Sequence, residues 1–98
     1  MNGYWSLPIV GIPGTIQDTD YPIEAYLSTC GKIEAGSKVE MVALDANDAG
    51  QQWERSADDD LGYFTLKNPM SGKYLHGMKG YMKFTIEGNA SSFVYLNR

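Results

Sequence analysis

The stretch "AGQQWERSADDDLGYFTLKNPMSGKYLHG", Ala49 to Gly77, decides how this chain reads. Its centre, Tyr63-Phe64-Thr65-Leu66-Lys67, alternates so that Phe64 and Leu66 share one face while the polar positions take the other, as a half-buried strand requires. Asp58-Asp59-Asp60 before it and Ser71-Gly72 after it are turn formers, and Gln51-Gln52-Trp53-Glu54 begins a further extended segment.

Turn signals recur along the whole chain about every eight to twelve residues, a rhythm that suits an all-β sandwich or barrel. They fall at Pro13-Gly14, Asp18–Asp20, Cys30-Gly31, Asp45–Asp48, Asp58–Asp60, Ser71-Gly72, Gly77, Gly80 and Gly88-Asn89. Between them the pattern predicts strands near Tyr4–Leu7, Gly14–Gln17, Glu24–Ser28, Val39–Leu44, Gln52–Arg55, Tyr63–Lys67, Lys73–His76, Met82–Glu87 and Phe93–Leu96. Met82, Phe84 and Ile86 mark the clearest buried face. The best helix candidate is Tyr21–Leu27, with Asp20 as cap and Pro22 in the first turn; Ala46–Gln52 is the only other stretch with helical leaning.

Composition bounds the rest. A chain of 98 residues with 43% hydrophobic and 20% charged residues makes one folded domain, residues 1–98. A net charge of −4 with eight scattered basic residues gives no footprint for nucleic acid. No apolar run approaches the roughly 20 residues of a membrane helix, so no membrane partner is expected. The start of the chain lacks the basic and long apolar regions of a secretory signal. With one cysteine, Cys30, and one histidine, His76, neither a disulfide nor a soft-ligand zinc site forms, and no cofactor is expected. The lone thiol suits a cytoplasmic setting, or a secreted one where a leader has been removed.

Two parts of the chain resemble each other, about residues 3–56 and 62–98. Gly3-Tyr-Trp-Ser-Leu7 matches Gly62-Tyr-Phe-Thr-Leu66, Gly14-Thr-Ile16 matches Lys73-Tyr-Leu75, Val39–Ala43 matches Met82–Ile86, and Gln52–Glu54 matches Ser92–Val94. The first copy then carries an insertion around Asp18–Lys32.

Residues 37–77 resemble the ricin B-type β-trefoil family on Val39, Met41, Asp45, Asn47, Gln51, Trp53, Phe64, Leu66, Asn68, Ser71, Gly72, Lys73 and Leu75. In that family a Val-x-Leu strand leads through an Asp/Asn loop to Gln-x-Trp, and the next repeat opens with an alternating strand and Ser-Gly-Lys-x-Leu. The resemblance implies a compact β-barrel of β-trefoil type and a non-catalytic, carbohydrate-binding role. A trefoil holds three such repeats, whereas 98 residues hold two with an insertion. Three architectures remain open: a trefoil with very short loops, a smaller barrel, or a partial trefoil completed by self-association into a homo-oligomer.

The family's sugar site needs an acid after the second strand, an aromatic in the third and an Asn-Gln pair before the Trp. By resemblance the acid falls on Glu34 and the Gln on Gln51, but Val42 holds the aromatic place and Gly50 the Asn place; the second copy is altered similarly. The remaining ligand-binding candidates are Asp45, Asn47 and Gln51 as hydrogen-bonding groups, and Tyr74, His76 and Tyr81 as an aromatic platform with Asn89. The plainer reading, which outweighs the binding one, makes Tyr74 and Tyr81 half-buried barrel aromatics and the Asp and Asn residues turn formers.

Other chemistry is poorly supported. Asp45–Gly50 has oxygens at the first and third places of a calcium loop, but Ala49 and Ser56 stand where ligands belong. Cys30 and His76 lack a third orienting group, so no enzyme is expected. Asn89-Ala-Ser91 is a glycosylation acceptor in a secretory setting. The alternative function is a protein-interaction module resembling β-trefoil protease inhibitors, acting through Val10–Gly14, braced by Pro8 and Pro13, or through Asp18–Lys32. The expected partner is thus a glycan or a protein.

Overall fold

A computed structural model describes residues 5–19, 25–78 and 83–94. The fold is all-β. In chain order the strands are β1 (Trp5–Ser6), β2 (Gln17–Asp18), β3 (Tyr26–Ser28), β4 (Lys38–Val42), β5 (Glu54–Arg55), β6 (Tyr63–Phe64), β7 (Leu66–Asn68), β8 (Lys73–Met78), β9 (Lys83–Glu87) and β10 (Phe93–Val94). Eight of them form one curled antiparallel sheet, a half-barrel in the order β1-β2-β3-β4-β9-β8-β7-β5, and β10 pairs separately with β6.

The elements follow the alternation read from the sequence. Phe64, Leu66, Leu75, Phe84 and Ile86 are buried, and their chain neighbours Tyr63, Lys67, His76 and Lys83 are not. Thr65 interrupts the expected Tyr63–Lys67 strand, because β6 turns to pair with β10 while β7 pairs with β5 and β8. The helix expected over Tyr21–Leu27 does not form at its described end: Tyr26 and Leu27 lie in β3, opposite Val42 and Met41. Residues 21–24 lie outside the described part. Tertiary pairing overrides the local cap signal there, since buried Leu27 gains a place in the core that a surface helix would not give it. The helical leaning of Ala46–Gln52 survives only as a single 3₁₀ turn, Ala49–Gln51, capped by the Asp48 carboxylate on Gly50 N–H at 2.9 Å.

The core gathers the apolar residues of both halves of the chain: Trp5, Ile16, Leu27, Val39 and Trp53 from the first, and Phe64, Leu66, Leu75, Phe84 and Ile86 from the second. The Trp5 and Phe84 rings meet edge to face at 5.6 Å, a geometry the aromatic quadrupoles favour. Val39 stands directly opposite Phe84 where β4 pairs with β9, so the two halves are joined at the middle of the sheet.

Trp53 is completely buried, and its indole N–H donates to the Leu27 carbonyl at 3.1 Å. Its backbone forms a two-way bridge with Gly14, Trp53 N–H to Gly14 O at 2.7 Å and Gly14 N–H to Trp53 O at 3.0 Å. A third bond, Gly11 N–H to Arg55 O at 3.2 Å, continues the contact. The arm between β1 and β2 is thereby sewn to β5, at the far end of the sheet order, and the curl is held from both ends.

Replacing Trp53 separates its two contributions. Trp53→Phe keeps most of the buried area but leaves the Leu27 carbonyl without its donor, and is expected to cost about 1–3 kcal/mol in urea unfolding. Trp53→Ala adds a large cavity and is expected to cost about 3–5 kcal/mol.

Candidate functional site

The sequence put forward two groups of binding residues, and the structure arranges them differently. Asp45, Asn47 and Gln51 do come together, around the loop that leads into the 3₁₀ turn. Asp45 Oδ1 accepts the Asn47 N–H at 2.9 Å, closing an Asx turn. Gln51 is buried; its Nε2 donates to Ala43 O at 2.9 Å and its Oε1 accepts Asp45 N–H at 3.1 Å. The amide of Gln51 thus clamps the loop from inside, while Asp45 and Asn47 stand exposed above it.

Buried Asn68 performs the same task on the other side of the turn. Its Nδ2 donates to Ala49 O at 3.2 Å and Gln52 O at 2.9 Å, and its Oδ1 accepts Ser71 N–H at 2.9 Å. Two buried side-chain amides therefore bracket the Gln-x-Trp segment and satisfy backbone groups that the short turn leaves over. Gly50 is part of the same packing. A Cβ there would lie 2.6 Å from Thr29 Oγ1 and 3.0 Å from Asp48 Oδ1, so no side chain fits without displacing them. Of the other family-implied positions, Glu34 is exposed and Val42 half-buried.

Tyr74 and His76 lie two apart on β8 and so share the outer face of the sheet, opposite to buried Leu75. His76 Nε2 donates to the Asn89 carbonyl at 2.6 Å, which places the ring proton on that nitrogen and ties β8 to the turn after β9. Tyr81 lies outside the described residues.

Register brings further residues beside Tyr74. Glu54 pairs with Lys67, Lys67 with Tyr74, and Tyr74 with Glu87, forming one lateral row across β5, β7, β8 and β9 on the outer face. The Lys67 ammonium stands 5.8 Å from the Tyr74 ring centroid. Among the described residues it has no carboxylate within salt-bridge distance, the ion pair there being Arg55–Asp58 at 3.2 Å. The Arg55 guanidinium also lies over the Phe64 ring, 4.1 Å from its centroid.

Around this row is an open concavity of about 330 Å³, lined by Gly11, Glu54, Arg55, Ser56, Thr65, Lys67 and Tyr74. Of the described ligand-binding candidates put forward from sequence, Tyr74 lines it, and Gly11 comes from the Val10–Gly14 loop put forward for a protein contact. Glu54 and Lys67 were identifiable from alternation as outward-facing, but their convergence depends on β5 pairing with β7, which no local pattern announces. The concavity offers one aromatic wall, an acceptor in Glu54, donors in Lys67 and Arg55, and the hydroxyls of Ser56 and Thr65. Such a set can hold a polar ligand in place.

Compared with known protein families, with curated proteins and with solved structures, the chain matches none. Among the described residues no helix is long and apolar enough to cross a membrane.

The scaffold role of Gln51 predicts a contrast in unfolding experiments. Gln51→Leu, which strands Ala43 O and Asp45 N–H, is expected to lower stability by about 1–3 kcal/mol. Asp45→Ala, at an exposed turn, is expected to cost less than about 1 kcal/mol.

Proposed function

We propose that this chain is a non-catalytic carbohydrate-binding module, lectin-like, whose sugar sits in the outer concavity against Tyr74. The observation that carries the reading is the convergence of that ring with Glu54, Lys67, Ser56 and Thr65 around a concavity of about 330 Å³. A pyranose has one apolar face of C–H groups and a rim of hydroxyls. Tyr74 suits the face, Glu54 accepts from hydroxyl donors, and Lys67 donates to hydroxyl oxygens. Asp45, Asn47 and Gln51 serve the fold in this reading, and His76 and Asn89 hold the neighbouring turn.

The proposal includes a scaffold of β-trefoil type built from two repeats. Matched positions of the two copies support it: Trp5 and Phe64, and Ile16 and Leu75, are all buried, and Trp53 and Phe93 both pack in or against the core. The pairing of β4 with β9, equivalent strands run antiparallel, is what two copies about a two-fold axis would give, and it favours the two-repeat arrangement over a full three-repeat trefoil.

A second reading, a protein-interaction module of inhibitor type, has the exposed apolar turn at Ile9–Ile12 in its favour. A glycan array beside a protease panel separates the two. The sugar reading expects retention of a glycan by the native chain and loss of at least about tenfold in affinity in Tyr74→Ala, the effect of removing one aromatic contact worth about 1.4 kcal/mol. Glycan retention that Tyr74→Ala leaves intact would sink the concavity as the site. Protease inhibition without glycan retention would replace the reading altogether.

A further inference from the structure

The concavity is not bounded by polar groups alone. Gly11, which lines it, belongs to the turn Ile9-Val10-Gly11-Ile12, closed by Ile12 N–H to Ile9 O at 3.0 Å. Gly11 has φ +81°, the left-handed value that the third position of a type II turn requires and that glycine adopts without strain. Its N–H is held by the Arg55 carbonyl, and Gly14, just beyond, is held by Trp53. Pro8 and Pro13 flank the turn, Pro8 buried. The turn is therefore rigid before any ligand arrives.

On this fixed frame stand three large aliphatic side chains in water: Ile9 is 71% exposed, Val10 46% and Ile12 58%. Single exposed hydrophobes need no explanation, but three within four residues, on a turn anchored beside an open concavity, form a local apolar surface. Resting on the sugar reading above, we infer that the ligand is amphipathic: a glycoside whose sugar occupies the concavity at Tyr74 and whose apolar aglycone lies along Ile9, Val10 and Ile12. The chain neighbours of a lining residue are the first surface an outgoing aglycone meets. Because the turn is already ordered, covering it costs little conformational entropy, so apolar contact there adds to affinity.

The test is an NMR titration of the whole chain with methyl and n-hexyl β-glycosides of glucose, galactose, mannose and N-acetylglucosamine, all kept below micelle-forming concentrations. For whichever sugar binds, the hexyl glycoside is expected to bind about tenfold more tightly than the methyl, the gain that about two buried methylenes supply. Amide shifts are expected at Val10–Ile12 as well as around Tyr74. In the double variant Ile9→Ser with Ile12→Ser, both at exposed positions, hexyl affinity should fall to the methyl level and methyl affinity stay unchanged. A methyl glycoside bound at Tyr74 with no hexyl advantage, or an advantage that survives the double variant, overturns the inference and leaves the sugar reading standing. Absence of binding by every glycoside overturns both. Hexyl binding at the turn that survives Tyr74→Ala also overturns both, and would assign the turn to apolar partners independently of sugar.

Discussion

The bridge between Trp53 and Gly14 is the contact on which the rest of the structure depends. One residue fills the middle of the core, donates its indole proton to β3 and exchanges both backbone bonds with the arm between β1 and β2. A small β-domain has little interior, and its strands here are mostly two or three residues long. Short strands carry few ladder bonds each, so the curl needs a residue that joins distant parts of the sheet order at once. Trp53 does this because a large aromatic with a single donor can be buried fully when that donor is satisfied.

Around Trp53 the polar side chains act as brackets. Gln51 holds the incoming loop, Asn68 the turn and the residue that leaves it, and Asp48 the Gly50 N–H of the 3₁₀ turn together with the Ser28 hydroxyl at 2.7 Å. Each amide uses its carbonyl and its NH₂ for the backbone. Burial of these groups is tolerable because the segment they surround is irregular and leaves backbone groups that no strand can satisfy. Side chains that look like ligand-binding groups in the linear sequence are thus engaged in making the chain turn.

This explains which features could be read from sequence. The all-β class, most strand positions and the buried face of β9 follow from two-residue alternation, which each strand carries locally. Gln51, Trp53 and Asn68 were singled out by the resemblance that residues 37–77 bear to β-trefoil sequences, not by any local pattern of their own. The strand read near Glu24–Ser28 forms as Tyr26–Ser28, although a helix-capping signal just before it also offered a helix over Tyr21–Leu27, since a cap is local and a sheet partner is not. The concavity was least visible. Glu54, Lys67 and Tyr74 are separated along the chain and meet only through the β5–β7–β8 register, while Gly11 joins them through the arm. A glycine chosen for a turn and a glutamate on an outer face carry no sign of each other.

The arm also changes how the molecule meets copies of itself. Strand β5 ends the sheet order, and an uncovered strand in that place presents unpaired N–H and C=O groups as a template for another chain. The bonds from Gly11 and Gly14 occupy that side of the Trp53–Arg55 segment. A neighbouring molecule would have to peel the arm away before adding a strand there. The same hydrogen bonds that tie the curl together therefore act as a guard against runaway strand addition.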